Sequence, residues 1–155
     1  MTEFCLEQIR RSMDGIVASM LATCDADGMP NVSMISQVYY VDARHVALSY
    51  QFFNKTRRNL LATRRASVLV VDPVTSHHHR MDIEYVETQT HGPIFEQMRA
   101  QLAGIASHHG MDGVFRLLGA DIFRVVGIEP VEGTTGNPEP PWASNAPMIS
   151  APPAT

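Results

Sequence analysis

The sequence predicts a mainly β, α+β domain: a small antiparallel barrel of six strands with covering α-helices. Three observations carry this. Apolar runs of strand length follow one another across tight turns such as "DADG" and "DAR", and turns this short join antiparallel neighbours. The stretch "RMDIEYVETQ" sets Met81, Ile83 and Tyr85 on one face against charged residues on the other, the pattern of a half-exposed strand. The helical patterns are few and do not alternate regularly with strands, as a doubly wound βαβ sheet requires. At 155 residues, with 45% hydrophobic and 18% charged residues, the chain has the length and composition of one globular domain with a real core.

In order, "TEFCLEQIRRSMDG" places Phe4, Leu6, Ile9 and Met13 near one face of a helix that stops at Gly15. A meander follows: a strand over 16–24, a turn in which Gly28 supplies the positive φ, a longer strand over 30–41, a second turn, and a third strand over 45–51. Asn54 is placed as the N-cap of a helix of about three turns ending near Arg65, ahead of a strand over 67–71 closed by Asp72-Pro73. The half-exposed strand over 80–89 comes next. Gly92-Pro93 then opens an amphipathic helix with Ile94, Met98, Leu102 and Ile105 at helical spacing, laid on the barrel as a cover. A short turn of helix over 112–119 leads to a final strand over 120–131. Seven of the ten prolines lie between Pro130 and Pro153, so the chain divides into a domain over 1–131 and a flexible or polyproline-like tail over 132–155.

The stretch "FFNKTRRNLLATRRASVLVVDP" holds the only lysine and four of the eleven arginines of a chain whose net charge is −4. Arg64 and Arg65 fall in the expected last turn of the helix, where cations suit the dipole. Lys55, Arg57 and Arg58 fall in the first turn, where unpaired amides already make the helix end positive. Either carboxylates from elsewhere neutralise this corner, or the cations point into water, or an anion sits there. A phosphate fits, because free N–H groups, the Thr56 hydroxyl and a guanidinium fork bond its oxygens together.

The acidic balance and single basic segment argue against a general nucleic-acid binder and for a small anionic ligand. Cys5 and Cys24 lack metal-ligand or CxxC spacing and are expected as free thiols in a reducing compartment. The run "GIVASMLATC" is too short to span a bilayer and lacks a signal peptide's basic lead, so a cytoplasmic location is expected. In "SHHHR", three consecutive histidines of an extended segment cannot face one ion, although His77 and His79 could share a side. Asp25 and Asp27 are explained by turn chemistry, and His108 and His109 suit a helix C-terminus. No metal site and no Ser-His-Asp, P-loop or paired-carboxylate arrangement is legible, so no catalytic side chain is assigned.

From Met13 to Val131, the order of elements and three motifs resemble the flavin-binding split barrels related to pyridoxamine 5′-phosphate oxidase. The motifs are the hairpin "LATCDADGMPNVSMISQVYYV", the segment "NKTRRNL" and the closing "GADIFRVVGIEPV". The resemblance implies a six-stranded split β-barrel holding FMN, with Lys55, Thr56, Arg57 and Arg58 on the 5′-phosphate. It further implies that Met34, Ile35 and Ser36 run beside the isoalloxazine, bonding largely through backbone, and that Ser49, Tyr50 and Gln51 approach the ribityl chain. Arg80 matches a place from which a second subunit reaches the flavin, so a homodimer with the flavin at the interface and a small-molecule substrate is implied, without nucleic-acid or membrane partners. The activity implied is that of a flavin-dependent oxidoreductase. Pyridoxamine phosphate oxidation itself is not implied, because the arginine-containing C-terminal region of those enzymes is replaced here by the proline-rich tail. A haem-binding split barrel, a deazaflavin-dependent reductase and a non-catalytic flavin sensor are the alternatives.

Overall fold

The computed structural model describes residues 5–50, 54–108, 110–111, 113 and 116–131. Phe4, Gln51 and the tail over 132–155 therefore lie outside the described residues. An N-terminal 3-10 helix, Leu6–Met13, leads into β1 (Ser19–Cys24), β2 (Pro30–Ile35), β3 (Val38–Asp42), β4 (His45–Tyr50), α1 (Asn54–Thr63), β5 (Arg65–Val71), β6 (His78–Gln89), α2 (Pro93–His108) and β7 (Gly119–Pro130). The seven strands form one antiparallel sheet in the order β2-β1-β5-β6-β7-β4-β3. The sheet curls on itself without closing, as a split barrel does.

Seven strands replace the expected six because the run over 30–41 breaks at Ser36-Gln37. Gln37 is buried, and its Nε2 donates to the Met98 carbonyl at 3.4 Å and to Gln101 Oε1 at 3.1 Å, both on α2. That attachment carries the chain from one edge of the sheet to the other, so β2 and β3, consecutive in sequence, are the two edge strands.

Inside the curl, alternate residues of every strand build the main core, with Val46, Val68, Val70, Met81, Ile83 and Phe123 almost wholly buried. Each such side chain contributes about 1.5–3 kcal/mol of burial. Leu60 of α1 joins this core, as do Leu6, Ile9 and Met13 of the N-terminal helix. That helix is 3-10 rather than α, and the spacing explains the choice: Leu6, Ile9 and Ser12, three residues apart, eclipse one another and are all buried. Gly15 ends it with φ +78°, where a Cβ would lie 2.7 Å from Ile105 Cδ1. Arg11 ties the helix to the end of β5 through Asp72 Oδ2, at 2.9 and 2.7 Å.

A second, smaller core lies on the outside of β7-β4-β3, where Met98 and Leu102 of α2 cover Ala47, Ala120 and Ile122. α1 ends at Thr63, earlier than the expected Arg65. Arg64 adopts φ +59° and caps the helix, its N–H donating to the Leu60 carbonyl at 2.9 Å, while Arg65 opens β5. The Arg64 guanidinium is held in turn by the Tyr85 carbonyl at 3.0 Å and lies 5.2 Å from the Tyr85 ring centroid. Those contacts support a left-handed conformation that non-glycine residues seldom adopt. The short helix expected over 112–119 is not formed at 116–118, and its remainder includes residues outside those described. Among the described residues, no helix is long and apolar enough to cross a membrane.

Candidate functional site

Period-two alternation along the β1-β2 hairpin turns Leu21, Thr23, Asn31, Ser33 and Ile35 to the inner side, where the cross-strand pairs are Thr23 with Asn31 and Leu21 with Ser33. The first turns of α1 land on the polar members of this set. Thr56 Oγ1 lies 2.6 Å from Ser33 Oγ and accepts from Asn31 Nδ2 at 3.1 Å, and Asn59 Nδ2 donates to Thr23 Oγ1 at 3.1 Å. Thr23, Thr56 and Asn59 are all buried. The start of α1 is thus stitched to the hairpin by hydroxyl and amide groups. The sequence reading missed Thr23, Asn31, Ser33 and Asn59. The available signal was three polar residues on the same face of the hairpin as Leu21 and Ile35.

The basic residues of that helix end divide. Lys55 and Arg58 are exposed, and neither forms an ion pair among the described residues. Arg57 is half-buried and turned inward. Its Nη1 donates to both carboxylate oxygens of Asp121 at 2.9 and 3.0 Å, and its Nη2 donates to Thr88 Oγ1 at 3.2 Å. Its guanidinium carbon stands 3.9 Å from the centroid of the Tyr50 ring, a cation–π stack. Thr88 donates to Asp121, and Tyr85 OH lies 2.6 Å from Thr88 Oγ1. Strand register assembles the group: Asp121 of β7 pairs with Thr88 of β6 and Leu48 of β4, and Tyr50 follows Leu48 on the same face. Asp121 and Thr88 were not singled out in the sequence, and Tyr85 was read only as a face residue of its strand.

The remaining residues assigned by resemblance fall on two faces. Ile35 points into the core at 2% exposure, Met34 points outward at 63%, and Ser36 sits in the link to β3. Tyr50 joins Arg57, whereas Ser49 is buried on the opposite face of β4, and Gln51 lies outside the described residues. Arg80 is on the outer face of β6, paired with Glu129 at 2.8 Å and Asp82 at 3.6 Å. It shares a cross-sheet row with Met34, in the order Met34, Met20, Leu69, Arg80. Three strand spacings, about 14 Å, separate its ends. One chain therefore brings together Tyr50 and Lys55 to Arg58 near the start of α1, and places Met34 and Arg80 apart on the outer face.

That outer face is open. A groove of about 640 Å³ crosses it, lined by Ala22, Cys24, Ser67, Asp82 and Val126 among others, and the apolar side chains of Met20, Val32 and Met34 stand exposed on the same side. Cys24, at the groove, and Cys5 are both free thiols. Of the histidine run, His79 faces inward from β6, and burial holds its pKa below the ordinary value, with His77 adding to the effect. Among the described residues, no three His, Cys, Asp or Glu side chains are grouped to hold a metal ion.

A family model described as pyridoxamine 5′-phosphate oxidase matches residues 6–130. No curated protein matches the sequence at a significant level. Solved structures do. An FMN-binding protein from Syntrophomonas wolfei subsp. wolfei is 21% identical over 81% of this chain and 86% of its own, with a TM-score of 0.68. A structure named F420 reductase is 14% identical over 83% and 98%, with a TM-score of 0.57. HutZ, a heme storage protein from Vibrio cholerae, is 19% identical over 80% and 92%, with a TM-score of 0.51. At these identities the likeness is one of fold.

Proposed function

This chain belongs to the pyridoxamine 5′-phosphate oxidase family, and on that premise we propose that it is an FMN-binding flavoprotein that works as a flavin-dependent oxidoreductase on a small substrate. The observation that carries the reading is the start of α1: Lys55 and Arg58, exposed and without a carboxylate partner among the described residues, stand at the positive end of a helix. Cations there are unfavourable by about 0.3–1 kcal/mol each, and a phosphate dianion reverses the sign. Thr56, fixed from beneath by Ser33 and Asn31, holds that helix end in place. These residues fit a phosphate monoester and would hold the 5′-phosphate of FMN.

β2 is an edge strand, so alternate backbone groups around Met34 and Ile35 point away from β1 and are available to the polar rim of an isoalloxazine. When bound, the flavin supplies one- and two-electron transfer, and the protein supplies position and electrostatics. The exposed Met20, Val32 and Met34 would be covered by a second copy of the chain, which would bring Arg80 of the partner subunit toward the flavin. The reading is supported by the FMN-binding protein among the structural relatives, while the F420 reductase and the heme storage protein name the rivals to be tested.

The test is a titration of ligand-free protein with FMN, F420 and haemin, followed by absorbance and fluorescence. FMN is expected to bind stoichiometrically. Replacing both Lys55 and Arg58 with Ala should weaken binding at least a hundredfold, since charge-assisted bonds contribute about 1.5–3 kcal/mol each. Selective binding of haemin or F420 overturns the cofactor assignment. Turnover of bound FMN with NADH or NADPH and a soluble acceptor separates an oxidoreductase from a passive flavin holder.

A further inference from the structure

Resting on the flavin reading of the site, we infer that Asp121 is a positioning residue that takes Arg57 out of phosphate binding and makes it a support for Tyr50, leaving Lys55 and Arg58 as the cations that grip the phosphate. The residue spacing in "NKTRR" groups all three cations, but the geometry separates them. Both terminal nitrogens of Arg57 are already used, Nη1 on the two Asp121 oxygens and Nη2 on Thr88. The Asp121 side chain is 6% exposed and that of Arg57 23%, so the two charges are matched away from bulk water. A phosphate brought to Arg57 would also be brought to the Asp121 carboxylate, and in a poorly solvated corner that repulsion offsets the attraction.

The network is also closed on its far side. Thr88 Oγ1 takes hydrogen bonds from Arg57 and from Tyr85 and passes its own proton toward Asp121, leaving no donor of that hydroxyl to spare. Beyond the N–H groups that bond Asp121 and Thr88, Arg57 also uses its flat face, which is laid against Tyr50 at 3.9 Å. Tyr50 is the last residue of β4, where the chain leaves the sheet for α1. The pair therefore fixes the ring at the mouth of the site through a link between β7 and α1. Lysine cannot replace arginine here, because it has neither the fork for Asp121 nor the plane for Tyr50.

The two roles separate when FMN is compared with riboflavin, which lacks the phosphate. Lys55→Ala and Arg58→Ala should each lower the FMN-to-riboflavin affinity ratio about tenfold or more, the size of one lost charge-assisted bond. Arg57→Gln and Asp121→Asn should weaken both ligands alike, with the ratio kept within about threefold, Arg57→Lys should not rescue, and the Arg57→Gln/Asp121→Asn double variant should be no worse than either single one. Without ligand, the same cycle read by thermal unfolding should show coupling; near-ultraviolet circular dichroism confirms that each variant is folded. A ratio that collapses in Arg57→Gln overturns the inference, because Arg57 then touches phosphate. Wild-type protein that binds neither ligand overturns the flavin reading and with it the phosphate half of the inference, and additive effects in the ligand-free cycle overturn the positioning half by themselves.

Discussion

The outer surface of the sheet is finished differently in its two halves. Over β7-β4-β3, α2 lays Met98 and Leu102 on Ala47, Ala120 and Ile122, and the small residues let the helix come close enough to bury all five. Over β2-β1-β5, the corresponding outward positions carry Met20, Val32 and Met34 at 46, 65 and 63% exposure, with nothing of the described chain above them. Both sets are apolar, and the second is the less covered. A strand written with apolar residues on both faces asks for cover on both faces, and the described residues supply that cover on one half only. The bare half also carries the backbone edge of β2 and is bordered by Arg80 on β6, so the surface left open is the one to which the flavin and a second copy are proposed to come.

Truncation should separate the halves most strongly. Leu102→Ala under α2 is expected to lower unfolding stability by about 2–5 kcal/mol. Met34→Ala on the bare half should change the stability of dilute, ligand-free protein by no more than about 0.5 kcal/mol. Urea unfolding of both variants checks the pair, and equal losses would show that the bare face is already packed within one chain. A smaller effect lies behind the bare half, where His79 faces the core with its pKa held down by burial. The unfolded imidazole titrates near 6.5 and the folded one lower, so the unfolded chain takes up the proton first. Stability should therefore fall as pH drops below about 6.5 toward the folded value, and His79→Gln should flatten melting temperature against pH over that window.

Less change is expected from Asp72, at the margin of the same half, whose carboxyl is held well below the usual range by Arg11 first and then by the Thr75 and Val74 amides. Its contribution is complete above the unfolded value near 3.9 and is lost as pH falls through the lower folded one. Because the pair with Arg11 is at the surface, salt should weaken it. Acid titration of Asp72→Asn against wild type, followed by circular dichroism, should show the variant less sensitive below pH 4.

How much of this was legible in the sequence follows from the range of the interactions involved. Strands such as β1 and β4 are written as local apolar runs bounded by tight turns, β6 in a period-two pattern and α2 in helical spacing, so their existence and order could be read directly. The break at Ser36-Gln37 could not, because its cause is the pair of bonds from Gln37 to residues 98 and 101. Arg64 as a left-handed cap was equally hidden, since the carbonyl and ring of Tyr85 that hold it are 21 residues away. At the site, the cations at the start of α1 were legible as a local charge anomaly. The partner of Arg57 was not: Asp121 sits 64 residues on in a strand whose facing direction is fixed only by its pairing with Leu48 and Thr88. The polar set of Thr23, Asn31 and Ser33 was written in the period-two pattern and could have been found there.

Val32→Lys offers the sharpest way to ask whether the open half is where flavin binding and self-association meet, because it places a charge among the exposed apolar side chains without touching the inward residues of β2. The measurement is sedimentation velocity across a dilution series, with and without FMN, on wild type and on Val32→Lys. A ligand that binds only the paired form must favour pairing. The account predicts that wild type sediments as a dimer, that FMN holds the dimer together to lower concentration, and that the variant sediments as a folded monomer with FMN affinity reduced by at least tenfold. A wild-type monomer that holds FMN stoichiometrically, or a Val32→Lys variant that dimerises and binds FMN like wild type, would contradict it.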